Sequence, residues 1–192
     1  VRGIIAAKDA GFQVCTNTTV YKDTDMDEIA VLFEYLRELG VDGFMISPAF
    51  GYASVCDDNP EGALQLFMTR EEVHEKFAAA QAVLQRFRLT ASPIYLEFLR
   101  GERKLACAAW ANPTYNVRGW RGPCYLLGDA HYPTYRELID SVAWDRLGHG
   151  GDPRCQHCLV HCGFEPAAVL AWTLIGGAVA WKVRRRSAKN PA

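Results

Sequence analysis

The sequence predicts an α/β fold over residues 1–100, a partial (β/α) barrel or a piece of a doubly wound sheet. A small cysteine-rich, loop-rich metal-binding domain is expected over 101–165, and an apolar helix with a basic tail over 166–192. Three observations predict this. Apolar residues alternate between a period of 2 and a helical period through the first hundred residues. The periodic runs stop near Gly101. Five of the seven cysteines then fall between 107 and 162.

The elements follow in order. Val1-Arg2-Gly3-Ile4-Ile5 runs directly into a helical pattern, with no apolar leader or cleavage site. Residues 12–20 are rich in β-branched side chains after Gly11 and read as a strand. Asp25-Met26-Asp27-Glu28 has the form of a capping box with an acidic first turn. Ile29, Leu32, Phe33, Leu36 and Leu39 recur at helical spacing until Gly40. Residues 41–47 form the next strand, ended by Pro48. Thr69-Arg70-Glu71-Glu72 opens another helix, whose apolar face is Val73, Phe77, Ala80, Leu84 and Phe87. Residues 94–99 are expected to form a third strand. Such alternation implies parallel pairing with right-handed crossovers. Three strands are part of a barrel or sheet rather than a whole, so the chain reads as a portion of a longer protein.

Residues 101–163 contain few periodic runs, and one helix is expected near 135–142. Such a segment needs a restraint other than apolar burial, which a metal site can supply. Cys155-x2-Cys158-x3-Cys162 places three thiols close together, and Cys107 and Cys124 lie upstream. Seven is an odd number of cysteines, so full disulfide pairing is impossible. With no export signal, a reducing, cytoplasmic setting is expected, where clustered cysteines bind metal or do catalysis. Two donor sets remain open. Cys155, Cys158, His161 and Cys162 supply the four ligands of tetrahedral zinc. Four of the five thiolates of Cys107, Cys124, Cys155, Cys158 and Cys162 supply a 4Fe–4S cluster, with His157 and His161 outside the ligand set. Zinc ribbons favour paired C-x2-C knuckles, and the upstream pair is not one, so the spacing leans towards iron–sulfur. Cys15 and Cys56 stand alone and read as packing residues.

Composition excludes little. Hydrophobic residues are 49% and charged residues 22%, as in ordinary globular proteins. The formal net charge of −1 gives no reason to expect nucleic acid as a partner. Residues 166–183 are largely apolar and precede Arg184-Arg185-Arg186 and Lys189. Eighteen residues are marginal for crossing a bilayer. The tail reads either as a helix packed on the domain or as a segment resting on the membrane face.

Several runs carry a family resemblance. They are Thr16-Asn17-Thr18-Thr19, Gly40-Val41-Asp42-Gly43 with Ser47-Pro48, and Ser92-Pro93-x-Tyr95-Leu96-x-Phe98-Leu99. Trp110-x-Asn112-Pro113-x2-Asn116-x2-Gly119-Trp120-x2-Pro123-Cys124 and Cys155-x2-Cys158-x-Val160-His161-Cys162-Gly163-x-Glu165-Pro166 complete them. Over residues 1–170 the chain resembles the C-terminal half of the radical S-adenosylmethionine enzymes of hopanoid biosynthesis, the adenosyl-hopene transferases. The resemblance implies a partial (β/α)6 barrel, a 4Fe–4S cluster and S-adenosylmethionine. It implies a transferase adding a 5′-deoxyadenosyl radical to the alkene of a hydrophobic, hopene-like triterpene, with peripheral membrane contact. Asn17, Thr18 and Ser47 sit near strand ends, where α/β barrels place their active-site groups, and the resemblance makes them cofactor-binding candidates. Tyr95 and Phe98 would face a lipid-like substrate or pack in the core. The family's C-x3-C-x2-C motif is absent here. The chain alone is therefore expected not to cleave S-adenosylmethionine, and a non-catalytic, metal-stabilised binding module is the alternative.

Overall fold

A computed structural model describes residues 1–52, 56, 62 and 65–172. Helix α1, Arg2–Asp9, leads into strand β1, Cys15–Val20. Lys8 pairs with Asp42 at 2.8 Å, and the Asp42 carboxylate also accepts the Val14 amide, which fixes the approach to β1. Helix α2, Met26–Glu38, begins at Asp25, whose side chain accepts from the Asp27 amide. It ends where Gly40 takes a φ of +82°, a conformation that glycine adopts without a Cβ penalty. Ile29, Phe33 and Leu36 face inward, whereas Leu32, expected on the same face, is 41% exposed.

Strand β2, Gly43–Pro48, pairs in parallel with β1 from Cys15↔Gly43 to Val20↔Pro48. The alternation then departs from expectation. Helix α3, Arg70–Ala79, has the predicted Thr69–Glu72 capping box, and α4, Gln81–Leu84, continues it after a break at Ala80. The third parallel position beside β2 is held by a single bridge, Phe44↔Leu89, in which Phe44 exchanges hydrogen bonds with Arg88 and Thr90.

Residues 94–99, expected as a strand, form helix α5, Pro93–Leu99. The reason is local. The Ser92 side chain accepts from the Tyr95 amide, and Pro93 occupies the first helical turn, a start signal that outweighs the β-prone composition. Ile94, Tyr95, Phe98 and Leu99 are buried together, a helical spacing and not an alternating one.

Residues 101–158 hold more regular structure than expected. Strands β3, Thr114–Asn116, β4, Gly119–Gly122, and β5, Ala130–Tyr132, form an antiparallel sheet in sequence order. Gly119, at φ +118°, follows the Val117-Arg118 turn, and a Cβ there would strike the Tyr132 carbonyl at 2.6 Å. Helix α6, Tyr135–Ser141, lies where a helix was expected. The chain is again helical over 161–172, and the remainder of the apolar and basic tail lies outside the described residues. One apolar cluster joins Phe33, Phe44, Phe77, Tyr95 and Phe98 to Leu159, Phe164 and Ala168, so the core crosses the boundary expected near Gly101.

Candidate functional site

The run from 155 to 163 is held from below by the first hundred residues. Tyr95 is fully buried and donates its hydroxyl to the Leu159 carbonyl at 2.8 Å. Arg70, at the start of α3, donates to the Cys158 and Gln156 carbonyls, and its guanidinium lies 5.7 Å from the Phe98 ring centroid. The Arg70 amide donates to His157 Nδ1. Tyr95 and Phe98 are core residues, which settles the two readings the sequence left open in favour of packing.

Upstream segments reach the same place. The Ala108 amide donates to the Gly163 carbonyl at 2.9 Å, and a Cβ on Gly163 would come 2.6 Å from Cys107 Sγ. The glycine thus leaves the space that Cys107 fills. Cys124 lies two residues past the end of β4, after Pro123, and opens a turn closed by Gly128 N–H to Cys124 C=O at 2.9 Å. On the outside, Arg154 forks between Asp129 and Asp152, tying the loop after Cys124 to the start of the cysteine run.

The result is that Cys107, Cys124, Cys155, Cys158 and Cys162 all line one cavity of about 30 Å³, with Leu126, Leu127, Leu147 and Phe164 as apolar walls. All five are free thiols. Burial pushes the Cys107 thiol up to about 11 and Cys162 up to about 12, and it raises Cys155 and Cys158 as well. Neighbouring sulfurs add to each shift: Cys124 acts on Cys107, Cys155 and Cys162, and Cys107 acts on Cys158. Buried thiols that raise one another's pKa are stable as neutral groups, and a cation among them would reverse that balance.

Among the described residues, no three His, Cys, Asp or Glu side chains are drawn together so as to clasp a single ion. Neither the zinc set of Cys155, Cys158, His161 and Cys162 nor any three of the five clustered cysteines form such a group. His161 lines a different cavity from the cysteines, and its buried Nδ1 has no hydrogen-bond partner. A cluster asks for something else, since each thiolate binds its own iron. Five thiols around an apolar hollow fit that donor set in kind. Cys15 is exposed on β1, and Cys56 lies apart beside Gly51 and Phe67.

The second cavity, about 340 Å³, lies at the ends of β1 and β2. Asn17 and Ser47 line it, as do Thr19 and Tyr21, while Thr18 does not. The pleat explains this: alternate residues of a strand face one side, so Asn17 and Thr19 share a face from which Thr18 is turned away. Thr18 is thereby separated from Asn17, and Thr19 is the neighbour that the motif reading passed over. Period-2 counting from Asn17 would have found it. Tyr125, Leu126, Val160 and His161 close the far wall, and Leu126 lines both cavities. The strand-end cavity and the cysteine cavity therefore share a partition.

A family model described as "Domain of unknown function (DUF3463)" matches residues 44–178. The chain belongs to that family. The matched span holds all five clustered cysteines and begins inside β2, leaving β1 with Asn17 and Thr19 outside it. No curated protein and no solved structure matches the chain.

Proposed function

We propose that this chain is the C-terminal portion of a radical S-adenosylmethionine enzyme of hopanoid biosynthesis, acting on a hopene-like triterpene, and that its cysteines hold an iron–sulfur cluster. The observation that carries the metal reading is the convergence of five unpaired cysteines, spread from 107 to 162, on one cavity. The enzyme reading rests on the sequence resemblance. Four of the five thiolates would be ligands, with Cys158 and Cys162 foremost. Asn17 and Ser47 would position S-adenosylmethionine at the strand ends, across the partition formed by Tyr125 and Leu126. The centre held by these cysteines would be auxiliary: the 5′-deoxyadenosyl radical that adds to the alkene would be supplied through a cluster bound by the C-x3-C-x2-C motif that this chain lacks. The chain's own part is to orient the cofactor and keep water from the cysteine cavity, which its leucine and phenylalanine walls suit.

The missing C-x3-C-x2-C motif favours a second reading, a non-catalytic module stabilised by metal. Anaerobic reconstitution with iron and sulfide separates the readings. The first expects about four irons and matching sulfide per chain. Cys158→Ala and Cys162→Ala should abolish incorporation, and Cys15→Ala and Cys56→Ala should leave it intact. Zinc without sulfide would support the second reading. In either case the reduced chain alone should release no 5′-deoxyadenosine from S-adenosylmethionine.

We assign the tail to peripheral membrane contact. No helix among the described residues is long and apolar enough to cross a membrane. Val169 and Trp172 are each 56% exposed where the last helix runs toward the basic residues. Exposed apolar side chains followed in the sequence by Arg184-Arg185-Arg186 suit an anionic surface. Flotation with anionic vesicles, lost on deletion of residues 173–192, is the expected outcome.

A further inference from the structure

A further cavity of about 300 Å³ lies between α4 and α5 and shares no lining residue with the two described above. Phe77, Leu84 and Phe87 are buried and form its floor. Leu89, at the single bridge to β2, and Leu96 of α5 are half-buried at its sides, so apolar surface stays open to a ligand there. The rim has the opposite character. Gln81 and Gln85, four residues apart and so on one side of a helical turn, share it with Arg88 and Arg100, and no carboxylate is among the lining residues. The two arginines differ in what they already hold. Arg100 gives its Nε and Nη2 to Glu102. Arg88 is exposed and enters neither ion pair of this region, which join Arg86 to Glu34 and Arg100 to Glu102. The carboxylate that its charge reaches through space, Asp42, is taken by Lys8 at 2.8 Å. Among the described residues, then, a guanidinium without a close counter-ion stands at the mouth of an apolar hollow.

We propose that this cavity binds a single-chain amphiphile with a carboxylate head, a free fatty acid, whose chain covers Leu89 and Leu96 and whose head is held by Arg88. The chain is drawn in because the cavity removes its apolar surface from water. A volume of about 300 Å³ is at the small end for ligand sites, which suits one chain and not a bulky ring system. The head group follows from charge. One guanidinium without a close counter-ion balances one negative charge, and its parallel N–H groups match the two oxygens of a carboxylate. A phosphate dianion would leave a second charge unbalanced. The rim glutamines add neutral amide donors for the remaining lone pairs. A cationic head would meet like charge from both arginines. No cysteine and no strand-end group takes part, so the site stands or falls apart from the metal reading.

The full chain is titrated calorimetrically with decanoate, and separately with decyltrimethylammonium, which has the same chain and the opposite head. The expected result is one-to-one binding of decanoate that the cation does not match. Arg88→Gln removes the charge at an exposed position, and Arg118→Gln, at the exposed turn before Gly119, removes an equal charge elsewhere. Arg88→Gln should weaken decanoate binding about tenfold, the loss of a hydrogen-bonded charged partner, and Arg118→Gln should leave it unchanged. Methyl resonances of Leu89 and Leu96 in the parent chain locate the ligand without any substitution and should move on adding decanoate. No binding of decanoate overturns the inference. So does equal binding of the two amphiphiles, or equal weakening in the two variants. Binding that leaves the Leu89 and Leu96 methyls unmoved places the ligand elsewhere and overturns it as well.

Discussion

The first hundred residues and the next sixty are held together by different means. In the first, Phe33 stacks on Phe44 with centroids 4.4 Å apart, Phe87 meets both edge-on, and Phe77, Tyr95 and Phe98 extend the same cluster. In the second, the buried apolar side chains among residues 101–158 are Ala108, Ala109, Leu138 and Cys155, and Leu138 alone is large. That region is shaped instead by a small sheet, by Trp120 packed between Tyr115 and Tyr135, by the Arg154 fork, and by sulfurs around a hollow. Burial organises one region, whereas short strands, ring contacts and ion pairs organise the other. Under the proposed metal reading, the second should depend on the bound metal.

The largest expected effect tests that dependence directly. Chelating the metal from reconstituted protein should collapse hydrogen-exchange protection across β3–β5 and residues 153–163, while β1, α2 and β2 keep theirs. Equal loss in both regions would erase the distinction. Next, Phe33→Ala should cost about 3–5 kcal/mol in urea unfolding, with or without metal, because it empties the centre of the first region. A cost that appears only in the metal-free protein would mean that the regions are not separable in this way.

Tyr95→Phe probes the joint between them. It leaves the buried Leu159 carbonyl unpaired and should cost about 1–3 kcal/mol, with faster exchange in the 155–163 run. The smallest effect is at the surface. The Asp129 and Asp152 carboxyls are held below their ordinary range, chiefly by hydrogen bonds from Arg154. A carboxyl with a lowered folded pKa contributes stability above its unfolded value, about 3.9, and loses it as pH falls toward the folded value. Arg154→Met should therefore flatten the acid limb of stability below about pH 4. At neutral pH it should cost no more than about 1 kcal/mol, since the pair is open to water.

Much was legible in the sequence. The capping box at Thr69, the glycine stop at Gly40, the paired strands β1 and β2, and the helix near 135 follow from short-range rules that act within a few residues. Residues 94–99, expected as a strand, are helical for a short-range reason too: the Ser92-Pro93 start signal outweighs their β-prone side chains. The sheet of β3–β5 was missed because strands of three and four residues are too short to show a period.

The sequence by itself determined which residues carry sulfur, that seven cannot all pair, and that the segment after Gly101 lacks the apolar periodicity to fold on burial alone. Only the tertiary structure decided which sulfurs meet. Cys107 and Cys124 reach the 155–162 run because the Ala108 amide bonds Gly163, because Gly163 has no side chain, and because β4 ends two residues before Cys124. The structure likewise placed His161 in the neighbouring cavity, against Asn17 and Ser47 of the strand ends. These are contacts between residues tens of positions apart. No local propensity encodes them, since they depend on loop closures whose entropy only the assembled core can offset.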